Sequence, residues 1–481
     1  MLAAFKSLFK DSVVYGIANI IQKVAPLVVI PLIIKYLGDD ALKVYDLSFV
    51  YVYLFSTLVF LGLDIAASAF YFDQKKLNFD KKQVLAYGFY LQVISCTIYF
   101  FLFYPLKEEI ATIVFPNDPQ MERFWIMALS IIPGYIMLNY GLNIALWQRR
   151  KSLYIITCFI QTLLTVLGVY LTIVIFHGSI LNVFQVIIGS MTLTGIFILF
   201  YLSNQIIINP FPINIKLVKA LLFFGIPFAA TSFFRHLLPS IDRYFLLLNH
   251  YHQQLPQYIL SVKLASFINI AFTAFLLAFT PYSLSKMNDE DAEQEISAIF
   301  KLLAVITLTF IPVLLLFKGP ILSFFANDSY QLTTKLLPIF LFGWVFDLFT
   351  NFAILGVYRS QKSLFVLALL ITGTVIISIL NVFLVPVLGV FGAALSFFIT
   401  KCSSFFIALH YLQKHFKIHV NVFKLLALFG LAALCSYLIF TTQFYWYLFA
   451  MVILLSIVGW YIYSTLQRYH FFSYILKKPG N

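Results

Sequence analysis

Charge is what this sequence has least of. Asp, Glu, Lys and Arg make up 11% of its residues against 62% hydrophobic ones, and its mean hydropathy is +0.94. Soluble domains carry about a quarter charged residues, so a soluble enzyme or nucleic-acid-binding domain is excluded for want of polar surface. Cysteine is nearly absent as well. Cys96, Cys158, Cys402 and Cys435 all fall in apolar stretches without paired spacing, which implies free thiols and neither a disulfide framework nor a metal site. There is no phosphate-cradling glycine loop with its lysine, no metal-spaced His and Cys cluster and no nucleophile elbow. The chain therefore reads as a non-enzyme with no cofactor and no bound metal. His250-Tyr251-His252 reads as a solvated turn and the run 288–295 as an acidic helix start.

What the sequence has in abundance is apolar runs long enough to cross a bilayer. The expected spans are 13–36, 46–71, 84–104, 122–147, 152–176, 184–205, 220–245, 258–284, 299–317, 336–358, 364–385, 391–412, 425–441 and 446–463. The fold class is an all-α polytopic membrane protein with about 14 transmembrane helices. Residues 1–12, with Lys6 and Lys10 among Phe5, Leu8 and Phe9, resemble the start of a signal peptide. The apolar run after them continues to Tyr36 without a small-residue cleavage site, so it reads as a retained span preceded by an interfacial helix.

The net charge of +13 is distributed by topology. With loops assigned alternately to two sides, one side collects about 21 Lys and Arg and the other about six. The rich side, holding Lys75, Lys76, Lys81 and Lys82, then Arg149, Arg150 and Lys151, and later Lys414, Lys417, Arg468, Lys477 and Lys478, is read as cytoplasmic and includes both termini. The expected location is the inner (plasma) membrane, and the basic clusters set topology and meet lipid headgroups without implying nucleic acid.

Sliding the second half over the first by about 210 residues sets Gly16-Ile17 over Gly225-Ile226 and the segment 147–153 (WQRRKSL) over 358–364 (YRSQKSL). Six helices return the chain to its starting side, so the copies are expected to be two pseudo-twofold-related six-helix lobes, 1–206 and 207–420, followed by a helical hairpin and basic tail, 421–481. The first and seventh spans both contain paired prolines, Pro26 and Pro31 in one, Pro227 and Pro239 in the other. Matched breaks point to a site between the lobes.

Polar side chains gather on single helical faces: Ser12, Tyr15, Asn19, Gln22 and Lys23 in the first span; Asp46, Tyr53, Thr57, Asp64 and Ser68 in the second; Asp347, Thr350 and Asn351 in the tenth. Charges inside spans number about five cations (Lys23, Arg235, Arg243, Lys263, Lys401) against about three anions (Asp64, Asp242, Asp347), an excess that pairing cannot neutralise and that suits an anionic substrate. Arg235 is the expected phosphate ligand, because a guanidinium fork binds two oxygens at once. Asp242 and Arg243 are expected to pair, and Asp64, Asp347 and Asp242 are the candidates for ion coupling.

With these residues in view, the chain resembles the Wzx-type bacterial polysaccharide flippases of the superfamily that includes MurJ and the MATE transporters. The resemblance is carried by Leu61-Gly62-Leu63-Asp64, by Phe224-Gly225-Ile226-Pro227, by Ser240-Ile241-Asp242-Arg243-Tyr244 and by Val262-Lys263-Leu264-Ala265. It implies two lobes in alternating access and, as cargo, a polyprenyl-(di)phosphate-linked oligosaccharide moved from the cytoplasmic to the outer leaflet for cell-surface polysaccharide biosynthesis. Its diphosphate would be held by Lys23, Arg235 and further cations such as Lys263 and Lys401, with Asn19, Gln22 and Arg243 as additional substrate-binding candidates. The implied partners are membrane lipid, a coupling proton or sodium ion, and a polysaccharide polymerase and glycosyltransferases. A MATE-type cation-coupled drug or metabolite antiporter is the alternative. It calls for an acidic cavity, whereas this chain reads as net basic within its spans.

Overall fold

The computed structural model describes residues 20–22, 25–72, 79–115, 118–207, 213–269, 272, 275–276, 279–280, 282–283, 291–326, 328–360, 362, 364–418 and 422–441. No strand occurs among them. The helices are α1 (Ile20–Leu37), α2 (Asp39–Phe60), α3 (Leu63–Phe72), α4 (Lys81–Phe103), α5 (Lys107–Val114), α6 (Met121–Trp147), α7 (Lys151–Tyr170), α8 (Ile180–Tyr201), α9 (Ser203–Ile206), α10 (Ile215–Leu248) and α11 (Leu255–Ser266). They continue with α12 (Ala292–Leu316), α13 (Lys318–Phe325), α14 (Gln331–Ala353), α15 (Leu355–Ser360), α16 (Leu364–Leu388), α17 (Val390–His415) and α18 (Val422–Thr441).

Twelve helices among the described residues are long and apolar enough to cross a membrane. The expected count of about 14 is not reached among the described residues. The expected eighth span is described mainly by α11, and the span 446–463 lies outside the described residues. So do residues 1–12, Asn19, Lys23, Lys75, Lys76, Arg468, Lys477 and Lys478.

By packing, the chain divides into two compact units, Met1–Ile259 with Ile377–Ala393, and Leu260–Ile376 with Ala394–Asn481. This boundary falls inside α11, whereas the sequence repeat places the lobe boundary after residue 206. Of the two repeat segments, 147–153 spans the turn from α6 to α7, and 358–364 includes residues outside the described ones.

Within the first unit, α10 is the element the others fix. Its start is set by Asn214, whose side chain caps the Leu217 N–H at 3.2 Å and whose own N–H donates to Tyr87 Oη at 2.9 Å. Leu217 and Leu221 then join a buried cluster with Leu63, Ala66, Ala67, Val84 and Tyr87 of α3 and α4. Pro227 and Pro239 were expected to break the seventh span, yet α10 runs through both as one helix of 34 residues. A proline removes one backbone donor from a helix without obliging it to stop, and unwinding in lipid would leave more backbone groups unsatisfied than the proline does.

The break falls in α10's partner instead. Between α2 and α3, Leu61 (φ 48°) and Gly62 (φ 63°) are both left-handed. A Cβ on Gly62 would run into the Gly225 carbonyl oxygen, and one on Gly225 would come within 2.5 Å of the Leu61 carbonyl oxygen. The segments Leu61-Gly62-Leu63-Asp64 and Phe224-Gly225-Ile226-Pro227, far apart in sequence, therefore meet backbone to backbone.

The second unit is packed by rings. Phe300 lies 5.2 Å from Phe349 and 4.9 Å from Phe352, and Phe405 lies 5.5 Å from Phe349 and 5.7 Å from Phe346, joining α12, α14 and α17. Such pairs gain about 0.5–1.5 kcal/mol each beyond area burial, a useful supplement where lipid offers no hydrophobic drive to associate.

The crossing of α3 and α10 makes a prediction. Gly225→Leu should lower stability in detergent by about 1–3 kcal/mol through overpacking, read as a fall in thermal midpoint. Gly189→Ala on α8, where nothing lies within 4 Å of an added Cβ, should leave the midpoint unchanged. Equal midpoints for both variants would show that the glycine contact carries no stability.

Candidate functional site

The polar residues expected to act inside the membrane fall into three places. The first is the middle of the α2/α10 contact. His236 of α10 stacks on Tyr53 of α2 with ring centroids 5.9 Å apart, and Tyr53 meets Tyr135 of α6 at 5.6 Å. Asn139 donates to the Tyr135 carbonyl at 2.9 Å. Asp64, in the first turn of α3, is half-buried. Beside this wall Arg235 is exposed and makes no hydrogen bond or ion pair among the described residues.

The second place is one further heptad along both helices. Asp46 of α2 and Arg243 of α10 lie seven residues from Tyr53 and His236, so antiparallel helices in register bring them face to face. Arg243 Nε donates to Asp46 Oδ2 at 3.1 Å, with side chains 3% and 0% exposed, and a terminal guanidinium nitrogen donates to the Pro239 carbonyl at 2.9 Å. The guanidinium lies 5.7 Å from the Tyr258 ring centroid. Asp242, 1% exposed, accepts from Tyr258 Oη at 2.8 Å and from Asn381 Nδ2 at 2.9 Å.

Arg243 is hydrogen-bonded to Asp46 of α2, with Asp242 a further anion acting on it, and Asp242 is itself held by Tyr258 of α11 and Asn381 of α16. Arg243 is thereby engaged and sealed from bulk, and the cluster holds two carboxylates for one guanidinium.

The third place is in the second unit. Lys401 Nζ of α17 lies 2.6 Å from Asp347 Oδ1 of α14, with side chains 17% and 25% exposed, and stands 5.6 Å from the ring centroids of both Trp344 and Phe397. The expected unpaired cation and lone carboxylate are therefore each other's partners. Lys263 is half-buried on α11, its carbonyl accepting from Ser266 Oγ at 2.7 Å. Gln22 is half-buried on α1, while Asn19 and Lys23 lie outside the described residues.

The cation excess shrinks accordingly. Asp46 was visible on the polar face of the second span but belonged in the count of buried anions. Asn381, the one amide side chain in α16, was a legible signal as well. So was Gln92 of α4, fully buried, with neither amide atom hydrogen-bonded among the described residues.

No group of three or more His, Cys, Asp or Glu able to hold a metal occurs among the described residues. In the 250–252 turn, burial, then Lys43 and His250, hold the His252 imidazole below its usual value.

No protein-family model and no curated protein matches the chain. Solved structures do. The lipid II flippase MurJ in an inward closed conformation is similar with TM-score 0.71 and 16% identity over 95% of this chain and 99% of that one. An inward-facing multidrug resistance MATE family transporter of the MOP superfamily is similar with TM-score 0.70 and 13% identity over 84% of this chain and 95% of that one. A MOP superfamily transporter from Pyrococcus furiosus, described by the reverse polarity of its binding pocket, gives 0.59, 14%, 88% and 97%. The chain has their fold, and at these identities its chemistry rests on its own residues.

Breaking the Asp46–Arg243 pair from one side leaves a buried charge uncompensated, at a cost of about 3–5 kcal/mol. Asp46→Ala should lower the thermal midpoint in detergent sharply, and Asp46→Ala combined with Arg243→Met should recover part of the loss. Full additivity of the two single substitutions would show that the contact contributes nothing.

Proposed function

We propose that the chain is a flippase that moves a polyprenyl-(di)phosphate-linked oligosaccharide across the inner membrane by alternating access, with both termini cytoplasmic. The observation that carries this reading is the contrast between two arginines on one helix. Arg243 is buried in an ion pair, whereas Arg235 is exposed and unpaired among the described residues. An arginine costs on the order of 3 kcal/mol at the centre of a bilayer, so a free one within a span has its use in a ligand or in water. A guanidinium fork offers two parallel donors to the oxygens of one phosphate.

A sugar and its diphosphate cannot enter hydrocarbon without forfeiting their hydrogen bonds with water. The proposed path replaces that water with Arg235, with Lys23, Lys263, Lys401, Asn19 and Gln22, and with the polar edges of Tyr53, Tyr135 and His236, while the prenyl tail stays in lipid. Lys401 is held by Asp347 in the resting protein, and an arriving phosphate competes with that carboxylate for it. Lobes 1–206 and 207–420 would exchange access by rigid-body rocking. Coupling to a proton or sodium ion falls to Asp64 and Asp242, whose neighbours Tyr258 and Asn381 are neutral donors. A polymerase and glycosyltransferases encoded beside this chain would support the glycan assignment.

One observation favours a second reading. The two carboxylates around Arg243 form a net acidic cluster, which suits a cation-coupled antiporter of MATE type. The readings part on cargo: reconstituted vesicles should flip a fluorescent prenyl-diphosphate-linked glycan and fail to expel a cationic dye, and the opposite result selects the antiporter.

Arg235→Ala should reduce glycan flipping roughly tenfold or more, the worth of a charge-assisted hydrogen bond, with insertion and thermal midpoint unchanged. Normal flipping would remove Arg235 from the site. If Asp64 couples protons, Asp64→Asn should flatten the pH dependence of flipping, measured across a range of external pH. An unaltered profile assigns coupling elsewhere.

A further inference from the structure

A cavity of about 500 Å³ opens in the second unit where α14, α17 and α18 meet. Its depth is set by its lining. Lys335 lies in the second turn of α14 and Phe342 two turns on, roughly 10 Å deeper at 1.5 Å per residue. Leu395 and Phe398 come from the beginning of α17, and Phe429, Ala433, Ser436 and Tyr437 from the later part of α18. The beginnings of α14 and α17 and the end of α18 therefore share one end of the bundle, and the cavity runs inward from it. Along the way Phe429 stands 4.9 Å from Phe342 and 5.9 Å from Phe398, a wall of rings.

No carboxylate lines the cavity. Lys318, also at this end, donates to the Ile439 carbonyl at 3.2 Å. Lys335 is exposed and makes no hydrogen bond or ion pair among the described residues. The cavity thus has an apolar body and a cation at its mouth.

We infer that this cavity is a binding site for an anionic phospholipid, with an acyl chain against Phe342, Phe398 and Phe429 and the phosphate at Lys335. Charge complementarity decides the occupant: an uncommitted lysine at the mouth of an apolar cavity with no carboxylate in its lining suits an anionic head carried on an apolar body. A lysine at headgroup depth, reaching out of an apolar helix face, meets a lipid phosphate where its stem stays in hydrocarbon. The inference concerns bilayer lipid and is independent of the cargo.

The test uses the full chain, delipidated in detergent and titrated with phosphatidylglycerol or phosphatidylcholine, with retained lipid counted by native mass spectrometry. The wild type should retain phosphatidylglycerol about fivefold better, the worth of one lysine near an anionic lipid. Lys335→Gln, an exposed substitution that spares the fold, should bring the two lipids to parity. Ala433→Phe, which fills the cavity, should lower retention of both. Equal retention by the wild type, or a preference that survives Lys335→Gln, overturns the assignment. So does a wild-type dimer that Ala433→Phe abolishes, since a second copy would then occupy the groove.

Discussion

The first unit depends on how closely two antiparallel helices can approach. α2 and α10 touch along most of the thickness of a bilayer, and the contact is made by different chemistry at its two ends. At one end backbone meets backbone, because Gly62 and Gly225 have no side chains to keep them apart. At the other, Asp46 and Arg243 are joined in a dry ion pair. Roughly 25 Å separates these points at 1.5 Å per residue, and His236 on Tyr53 lies between them. Lipid supplies no hydrophobic reason for helices to associate, so close packing and polar pairing must do it. The helical break at Leu61-Gly62 follows from the same demand: the chain turns left-handed where α10 comes closest.

That geometry explains which features of the sequence were legible. The all-helical, membrane-spanning class follows from hydropathy alone, while the expected count of about 14 stands against twelve such helices among the described residues. The segments at 61–64 and 224–227 were recognisable as motifs, but only the fold shows that each is the other's contact. Pairing was harder to read. Helical periodicity places Asp242 and Arg243 on different faces, and nothing local says that Arg243 turns to Asp46, a partner separated by 197 positions. Likewise Lys401 and Asp347 stand 54 residues apart. Counting charges within spans treats them as a pool, whereas in a medium of low dielectric each must be settled with its own neighbour.

Proline gave the opposite lesson. Pro227 and Pro239 suggested an interrupted helix, and α10 remains continuous through both. Each proline frees one carbonyl and removes one donor. In the membrane the alternative to a helix is a stretch of unsatisfied backbone, which costs several kcal/mol per group. The helix therefore survives, and the glycine-bearing partner supplies the bend.

The settled charges also sharpen what remains. With Arg243 bound to Asp46 and Lys401 to Asp347, the proposed anionic ligand depends on the position of Arg235 and not on a general positive field. Arg235 sits about two turns from Arg243 on the same helix, turned roughly 80° from it, and the two differ in what surrounds them. One is enclosed by α2 and Tyr258; the other is exposed beside a wall of Tyr53, Tyr135 and His236. Along its own length this helix thus carries one arginine that holds its partner and one that is uncommitted among the described residues. The same contrast recurs in the second unit, where Lys318 is spent on a helix-end carbonyl and Lys335 is left at the mouth of an apolar cavity.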